Sequence, residues 1–434
     1  MPQLRSAWQS VTLRSGARVI LAPLPGRSSV SVSLLFGVGS RWEPSNLAGI
    51  SHFLEHIVFK GTARYPDSRA VSSAIEGLGG VLNASTEKEM TVFWARVASR
   101  HLETALDVLT EITLAPRIDP EEVERERLVV AEELKGYLDQ PGDLVQMAFD
   151  EELWGQHPLA RDPAGTKRSI GRIGAEHLSR YRAAHYRADN LVVVVAGAFR
   201  PQQALRLVER RLEPALGLSA PETGRLDDGG PPGPLGAGPG TKLIARRGEQ
   251  LHLLLGTRCS SYLAPDRWAL DLLNAVLGEG MSSRLFLELR ERQALAYDVH
   301  SFTARHRDSG AFAIYLATRP EQGPTAVAAA VAELRKIAEE GVPEDELERA
   351  KSQIEGRLAL QTESAGGLSE FLGHQELLMG ELLAPDEVVE RVRAVSREEV
   401  AALAASLGPE VSGWRLAAVG PMRARQELEG AIWG

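Results

Sequence analysis

Residues 218–240, LSAPETGRLDDGGPPGPLGAGPG, constrain the fold more than any other stretch of this 434-residue chain. Glycine and proline crowd together there and no apolar periodicity survives. Such a stretch buries too little surface to offset its ordering entropy, so it reads as a Gly/Pro-rich linker. It leaves two nearly equal halves, residues 1–217 and 241–434, each long enough to fill a core of its own.

The halves resemble one another. In the first, residues 11–13 and 18–21 flank Ser15-Gly16 as a hairpin, followed by a strand over 29–37 and a helix. A second hairpin turns at 87–90, and helices follow near 102–114 and 120–138. In the second half, 250–257 resembles the 29–37 strand and 311–317 resembles 91–98. VPEDELERAKSQIEGRL likewise resembles IDPEEVERERLVVAEEL in its Pro-acidic start and helical repeat. The pattern predicts a diverged duplication of α+β class: two homologous α/β-sandwich domains, each an antiparallel-rich sheet packed with helices. Chemistry need not survive in both copies. Arg357 falls near the place of Glu133, and the second half has no HxxEH.

Composition narrows the partners. Lys+Arg 49 against Asp+Glu 58 gives a net charge of −9, which excludes the broad basic surface of a nucleic-acid binder. No run approaches the ~18 to 20 apolar residues of a membrane span, and residues 191–195 are only strand length. The expectation is a soluble, cytoplasmic protein with no membrane or nucleic-acid partner. Its single cysteine, Cys259, forms no intramolecular disulfide and reads as a small core residue.

The segment that carries chemistry is NLAGISHFLEHIVF, residues 46–59. Leu47, Ile50, Leu54, Ile57 and Val58 recur at helical intervals, with Ser45 or Asn46 available as N-cap. His52 and His56 are then one turn apart on one face, the spacing at which two imidazoles share a tetrahedral zinc. Glu55 projects beside them, placed to take a proton from a metal-activated water. Two polar residues on a solvated helix face would share this pattern, so a third ligand is needed.

A carboxylate from a second helix supplies one. In ERERLVVAEELK, Glu133 follows His56 by 77 positions, and Glu126 lies about two turns before Glu133 on the same face. Glu126 could therefore accept the outer N–H of a ligand histidine. On the residues alone Glu132 competes with Glu133.

Here the chain resembles the inverted zincins related to pitrilysin, on the bacterial branch similar to the mitochondrial processing peptidase β subunit. The likeness covers essentially the whole chain: HFLEHIVFKGT at 52–62, LNASTEKEMTVFWA at 82–95, ERERLVVAEELKGYLDQP at 124–141, HPLARDPAGT at 157–166 and YRADNLVVVVAGAF at 186–199, in family order. The resemblance implies His52, His56 and Glu133 as ligands of one zinc per chain, with Glu133 favoured over Glu132 by frame. It implies Glu55 as general base and Glu126 as the carboxylate behind a ligand histidine. The strand at 82–86 resembles the family's edge strand for extended peptides, with Asn83 and Ala84 as contacts. SSRLF through LAY, residues 282–297, implies Arg290 and Tyr297 as substrate-binding residues. Gln293-Ala294 departs from the family there, where a glycine is commoner at the second position.

The resemblance therefore implies a zinc metalloendopeptidase acting on peptides in a chamber enclosed by two chains. Both the zinc set and the Arg/Tyr pair are on one chain, which favours a homodimer over a heterodimer with a metal-less paralogue. The contrasting reading is a non-catalytic structural subunit of the same fold. The other histidines, His101, His157, His177, His185, His252, His300, His306 and His374, lack partners at ligand spacing and read as surface or hydrogen-bonded core residues.

Overall fold

A computed structural model describes residues 8–217, 230–233, 235, 240–411, 413–421, 427, 428, 430 and 431. Most of the expected linker, 218–229, 234 and 236–239, lies outside the described residues.

One compact unit comprises Met1–Lys135, Arg161–Gly229 and Leu358–Asp386. Its mixed sheet holds β1 (Gln9–Thr12), β2 (Arg18–Pro23), β3 (Ser29–Phe36), β4 (Val81–Thr86), β5 (Thr91–Ala98) and β6 (Leu191–Gly197). They run in the order β1-β2-β6-β3-β5-β4. Only β2 and β6 are parallel; the other neighbours are antiparallel. β6 reads LVVVVAG and is buried throughout, as a central strand covered on both faces should be. On one face Phe36 stacks on Tyr186 and Phe93 meets Phe59 at the end of the helix Ile50–Val58. The opposite face is covered by the helix Ala365–His374, where Ser33 Oγ and Ser369 Oγ share a buried 2.8 Å hydrogen bond. That helix approaches closely: a Cβ on Gly373 would lie 2.7 Å from Leu35.

The second unit comprises Gly136–Ala160, Gly230–Arg357 and Glu387–Gly434. Its strands are β7 (Gly240–Ala245), β8 (Leu251–Cys259), β9 (Ala296–Arg305), β10 (Gly310–Thr318) and β11 (Arg415–Gly420), in the order β7-β11-β8-β10-β9. β7 and β11 are parallel and the rest antiparallel. Strand for strand this repeats β2-β6-β3-β5-β4, sense included, so the duplication read from sequence is one of topology. Cys259 is a partly buried free thiol, pushed up to about 12 by burial.

The compact units interleave along the chain, whereas the sequence halves 1–217 and 241–434 run in chain order. The helix Pro141–Trp154, from the first half, sends Leu144, Val145, Phe149 and Leu153 into a core with Leu254, Ala313 and Val419 of the second unit's sheet. The second half returns the helix Ala365–His374 to the first unit. A sheet with two apolar faces must cover both, and here one face of each is covered from the other half of the sequence.

No described helix is long and apolar enough to cross a membrane.

Candidate metal centre

The helix Ile50–Val58 buries Ile50, Phe53, Leu54, Ile57 and Val58 against the sheet, which leaves His52 and His56 together on its other side. Its start differs from the expectation. Ser45 and Asn46 lie in a preceding 3-10 turn, and the N-cap is Gly49 at φ 92°, in the left-handed region that favours glycine. A side chain there would also come within 2.9 Å of Ala164 O. The cap acceptor comes from six residues upstream. Glu43 takes the N–H of Gly49 at 2.7 Å and of Ser51 at 2.8 Å, and so satisfies donors that the helix start leaves open. Ser51 Oγ in turn bonds Tyr181 at 2.8 Å. Burial pushes the Glu43 carboxyl up to about 7, against the pull of those N–H groups.

His52 and His56 meet at 4.6 Å between ring centroids, with their Nε2 atoms 3.2 Å apart. Glu133, on the helix Pro120–Asp139, places Oε2 at 3.8 Å from His52 Nε2 and 3.4 Å from His56 Nε2. The three donor atoms lie within 4.8 Å of one another, and among the described residues they form the one such group of His, Cys, Asp or Glu. Glu132 turns outward to Lys135 at 3.2 Å, and of the two neighbouring carboxylates it is Glu133 that lies beside the histidines.

His56 is oriented from behind. Its Nδ1 meets Glu126 Oε1 at 2.9 Å, and the other Glu126 oxygen takes Lys60 Nζ at 2.5 Å. A carboxylate at Nδ1 favours a proton there, which leaves the Nε2 lone pair facing the shared point. Burial alone would lower His56, but its hydrogen bond to Glu126 and the charges of Glu133, Glu126 and Glu55 outweigh it, so the net shift is upward. Glu126 is held down by His56 and Lys60 against its burial. His52 has no such support: Nδ1 is buried without a hydrogen-bond partner, and burial with the charge of His56 lowers the ring to about 4. Two imidazoles with their Nε2 atoms convergent and one carboxylate are the donor set a catalytic zinc takes, so these residues fit that ion.

Glu55 leans to the sheet. Thr86, the last residue of β4, donates Oγ1–H to Glu55 Oε2 at 2.5 Å. Burial raises the Glu55 carboxyl, opposed by the Thr86 bond and by His56. β4 is an edge strand. Glu87 N bonds Met90 O at the hairpin, so by antiparallel alternation the backbone groups of Leu82, Ala84 and Thr86 turn away from β5. Asn83 Oδ1 accepts the Ala84 N–H at 2.8 Å.

Arg290 and Tyr297 belong to the second unit. Arg290 is exposed on the wide helix Phe286–Arg292, with its guanidinium 4.9 Å over the Phe286 ring. Tyr297 is the second residue of the edge strand β9 and is 55% exposed. Between them Ala294 has φ 51°, where the family's commoner glycine would sit without strain. The second copy carries ion pairs in place of metal donors. Arg305 of β9 binds Asp271 of the helix Arg267–Gly278 at 2.6 Å, and Arg357 pairs with Glu279.

Sequence reasoning missed Glu43, Lys60 and Thr86 as contributors. Lys60 had a faint signal, four residues beyond His56; Glu43 and Thr86 reach the helix only through the tertiary fold.

Known proteins resemble this chain in sequence and in fold. Residues 18–167 match the family described as Insulinase (Peptidase family M16), and 172–354 match the Peptidase M16 inactive domain. An uncharacterized zinc protease from Streptomyces coelicolor is 36% identical, over 96% of this chain and 90% of its own length. Another from Bacillus subtilis is 33% identical, over 94% and 97%. Two solved structures share the fold: a protease from Helicobacter pylori (TM-score 0.88, 23% identity, 95% of this chain and 99% of that one) and a Peptidase M16 inactive domain from Pseudomonas fluorescens (0.87, 24%, 96% and 99%). The molecule is a two-unit α/β protein of the metallopeptidase type. The chain belongs to peptidase family M16.

Proposed function

We propose that this chain is a zinc-dependent endopeptidase that hydrolyses extended peptides. The observation that carries the reading is the convergence of His52 Nε2, His56 Nε2 and Glu133 Oε2 within 4.8 Å, with Glu55 beside them. One zinc per chain, held by these three residues, would supply Lewis-acid polarisation of the scissile carbonyl and a water of pKa near about 7. Glu55 accepts the proton of the attacking water and returns it to the leaving amine. Thr86 aims that carboxylate, and Glu126 holds His56 in the required tautomer.

The peptide adds to the free edge of β4, where backbone pairing is indifferent to side-chain identity. Asn83 and Ala84 make that contact once the Asn83 amide swings off the Ala84 N–H. Arg290 binds peptide carbonyls and Tyr297 steadies the oxyanion. Two chains enclose the substrate as a homodimer, each site joining the zinc residues of one copy to Arg290 and Tyr297 of its mate.

Glu55→Gln tests the reading. Peptide turnover should fall by about a hundredfold or more while zinc content is kept. Unchanged turnover in that variant would overturn the mechanism, whereas no turnover by the unaltered zinc-loaded chain would leave a structural subunit of peptidase fold.

A further inference from the structure

Beside its close contact with Leu35, the helix Ala365–His374 leaves a gap over the sheet of the first unit. A cavity of about 190 Å³ runs between its residues Gly366 and Glu370 on one side and Ser31, Trp94 and Arg96 of the sheet on the other. A water takes about 30 Å³ of liquid, so the space is that of about six waters, enough for one small molecule. Ser31 of β3 pairs directly with Arg96 of β5, so both side chains stand on the face that the helix covers.

One end of the cavity gathers positive charge. Arg96 stacks 4.7 Å over the Trp94 ring and reaches the first turn of the helix, where Gly366 leaves no room for a Cβ beside its guanidinium. That turn is itself the positive end of the helix dipole. Ser364 caps it through the N–H of Gly367 at 2.9 Å, while the N–H of Gly366, at the second helical position, has no acceptor within the helix. Arg96 makes no ion pair among the described residues. Ser31, only 1% exposed, makes no side-chain hydrogen bond among them. A guanidinium, a helix N-terminus and a buried hydroxyl thus meet around one space, with no carboxylate of the protein between them. Four residues along the helix, about 6 Å away, the sign reverses, since Glu370 lines the same cavity with Glu87 from the β4–β5 turn.

We propose that this cavity binds a free zwitterion the length of a dipeptide, with its carboxylate held by Arg96, Ser31 and the N–H of Gly366 and its ammonium at Glu370. The carboxylate carries the recognition, because charge-assisted hydrogen bonds from a guanidinium and a helix N-terminus are the strong ones. The stack on Trp94 and the seat at Gly366 fix the guanidinium about a turn from Glu370, which keeps the two charges of the cavity apart. An extended dipeptide spans about 7 Å and matches that separation, whereas a free α-amino acid carries both charges on one carbon and reaches only one end. The bound dipeptide bridges β3 and β5 to a helix supplied by the other half of the chain, and so strengthens its docking. The inference does not depend on the peptidase reading.

The test is calorimetric titration of the full chain with alanyl-alanine, its C-terminal amide and its N-acetyl form. Alanyl-alanine should bind in the millimolar range or tighter. The amide lacks the carboxylate and should bind about tenfold more weakly or worse; the N-acetyl form lacks the ammonium and should lose about threefold. Arg96→Gln, on an exposed position, should weaken alanyl-alanine about tenfold, and Ser31→Ala about threefold. Saturating alanyl-alanine should raise the thermal midpoint of the unaltered chain and leave that of Arg96→Gln unmoved. Absence of binding, equal binding of the three forms, or binding untouched by Arg96→Gln would overturn the site. Affinity that survives Arg96→Gln but is lost with a chelator would place the dipeptide at the metal centre and overturn it as well.

Discussion

Thr86 Oγ1 lies 2.5 Å from Glu55 Oε2, so the last residue of an edge strand hands a hydrogen bond to the carboxylate between His52 and His56. One contact joins the surface on which a peptide would lie to the group that would move its proton.

That contact fixes a pH dependence. Thr86 lowers the Glu55 carboxyl against burial, so Thr86→Val raises it further. The base is active ionised, and the acid limb of kcat/KM against pH should therefore move to higher pH. The loss is expected to be severalfold near neutrality and smaller in alkaline buffer, in keeping with a hydrogen bond of about 1 kcal/mol. An unmoved acid limb would detach Thr86 from the chemistry.

Glu126 acts through His56. Glu126→Gln keeps the shape but removes the charge that holds the imidazole. Zinc affinity measured against a competing chelator should weaken by about 10- to 100-fold. Lys60→Met should weaken it less, since it loosens Glu126 without removing it.

Glu43 stabilises the start of the metal helix, and Glu43→Ala leaves two buried N–H groups without their acceptor. Urea unfolding should show a loss of about 1–3 kcal/mol. The pH profile of stability carries the same residue. Because the folded carboxyl titrates near 7, above an unfolded value of about 4.3, the folded state binds the extra proton between them. The Glu43 contribution to stability is thus greatest below about 4.3, declines as pH rises to about 7, and is constant above. That slope should vanish in the variant.

Ala294 occupies a left-handed backbone conformation at φ 51°. Ala294→Gly should raise stability by about 0.5–1 kcal/mol, net of the extra freedom glycine gives the unfolded chain, readable as an upward shift of the thermal midpoint. A lower midpoint would show that the alanine methyl is stabilising.

The residues of the candidate metal centre were legible because they obey local rules. His52 and His56 are one helical turn apart, and helical geometry alone brings them together. Glu126 and Glu133 sit two turns apart on a second helix for the same reason. The strands were legible from alternation and from valine-rich runs such as 191–195, and the duplication from patterns that recur in order. Local rules do not say that Glu133 rather than Glu132 faces the histidines; the family frame favoured it, and the packing of Pro120–Asp139 gives it physical form.

Sequence by itself determined the His52–His56 pair, the strands and helices around it, and the twofold repeat, since these rest on spacings within elements and on patterns that recur in order. Tertiary structure alone decided that Glu43 caps a helix six residues away, that Thr86 reaches Glu55, and that each sheet takes a covering helix from the opposite half of the chain. Those relations arise from burying the second face of a sheet and satisfying orphaned N–H groups. Both demands are met by whichever residue the fold brings near, at a sequence separation that periodicity does not encode.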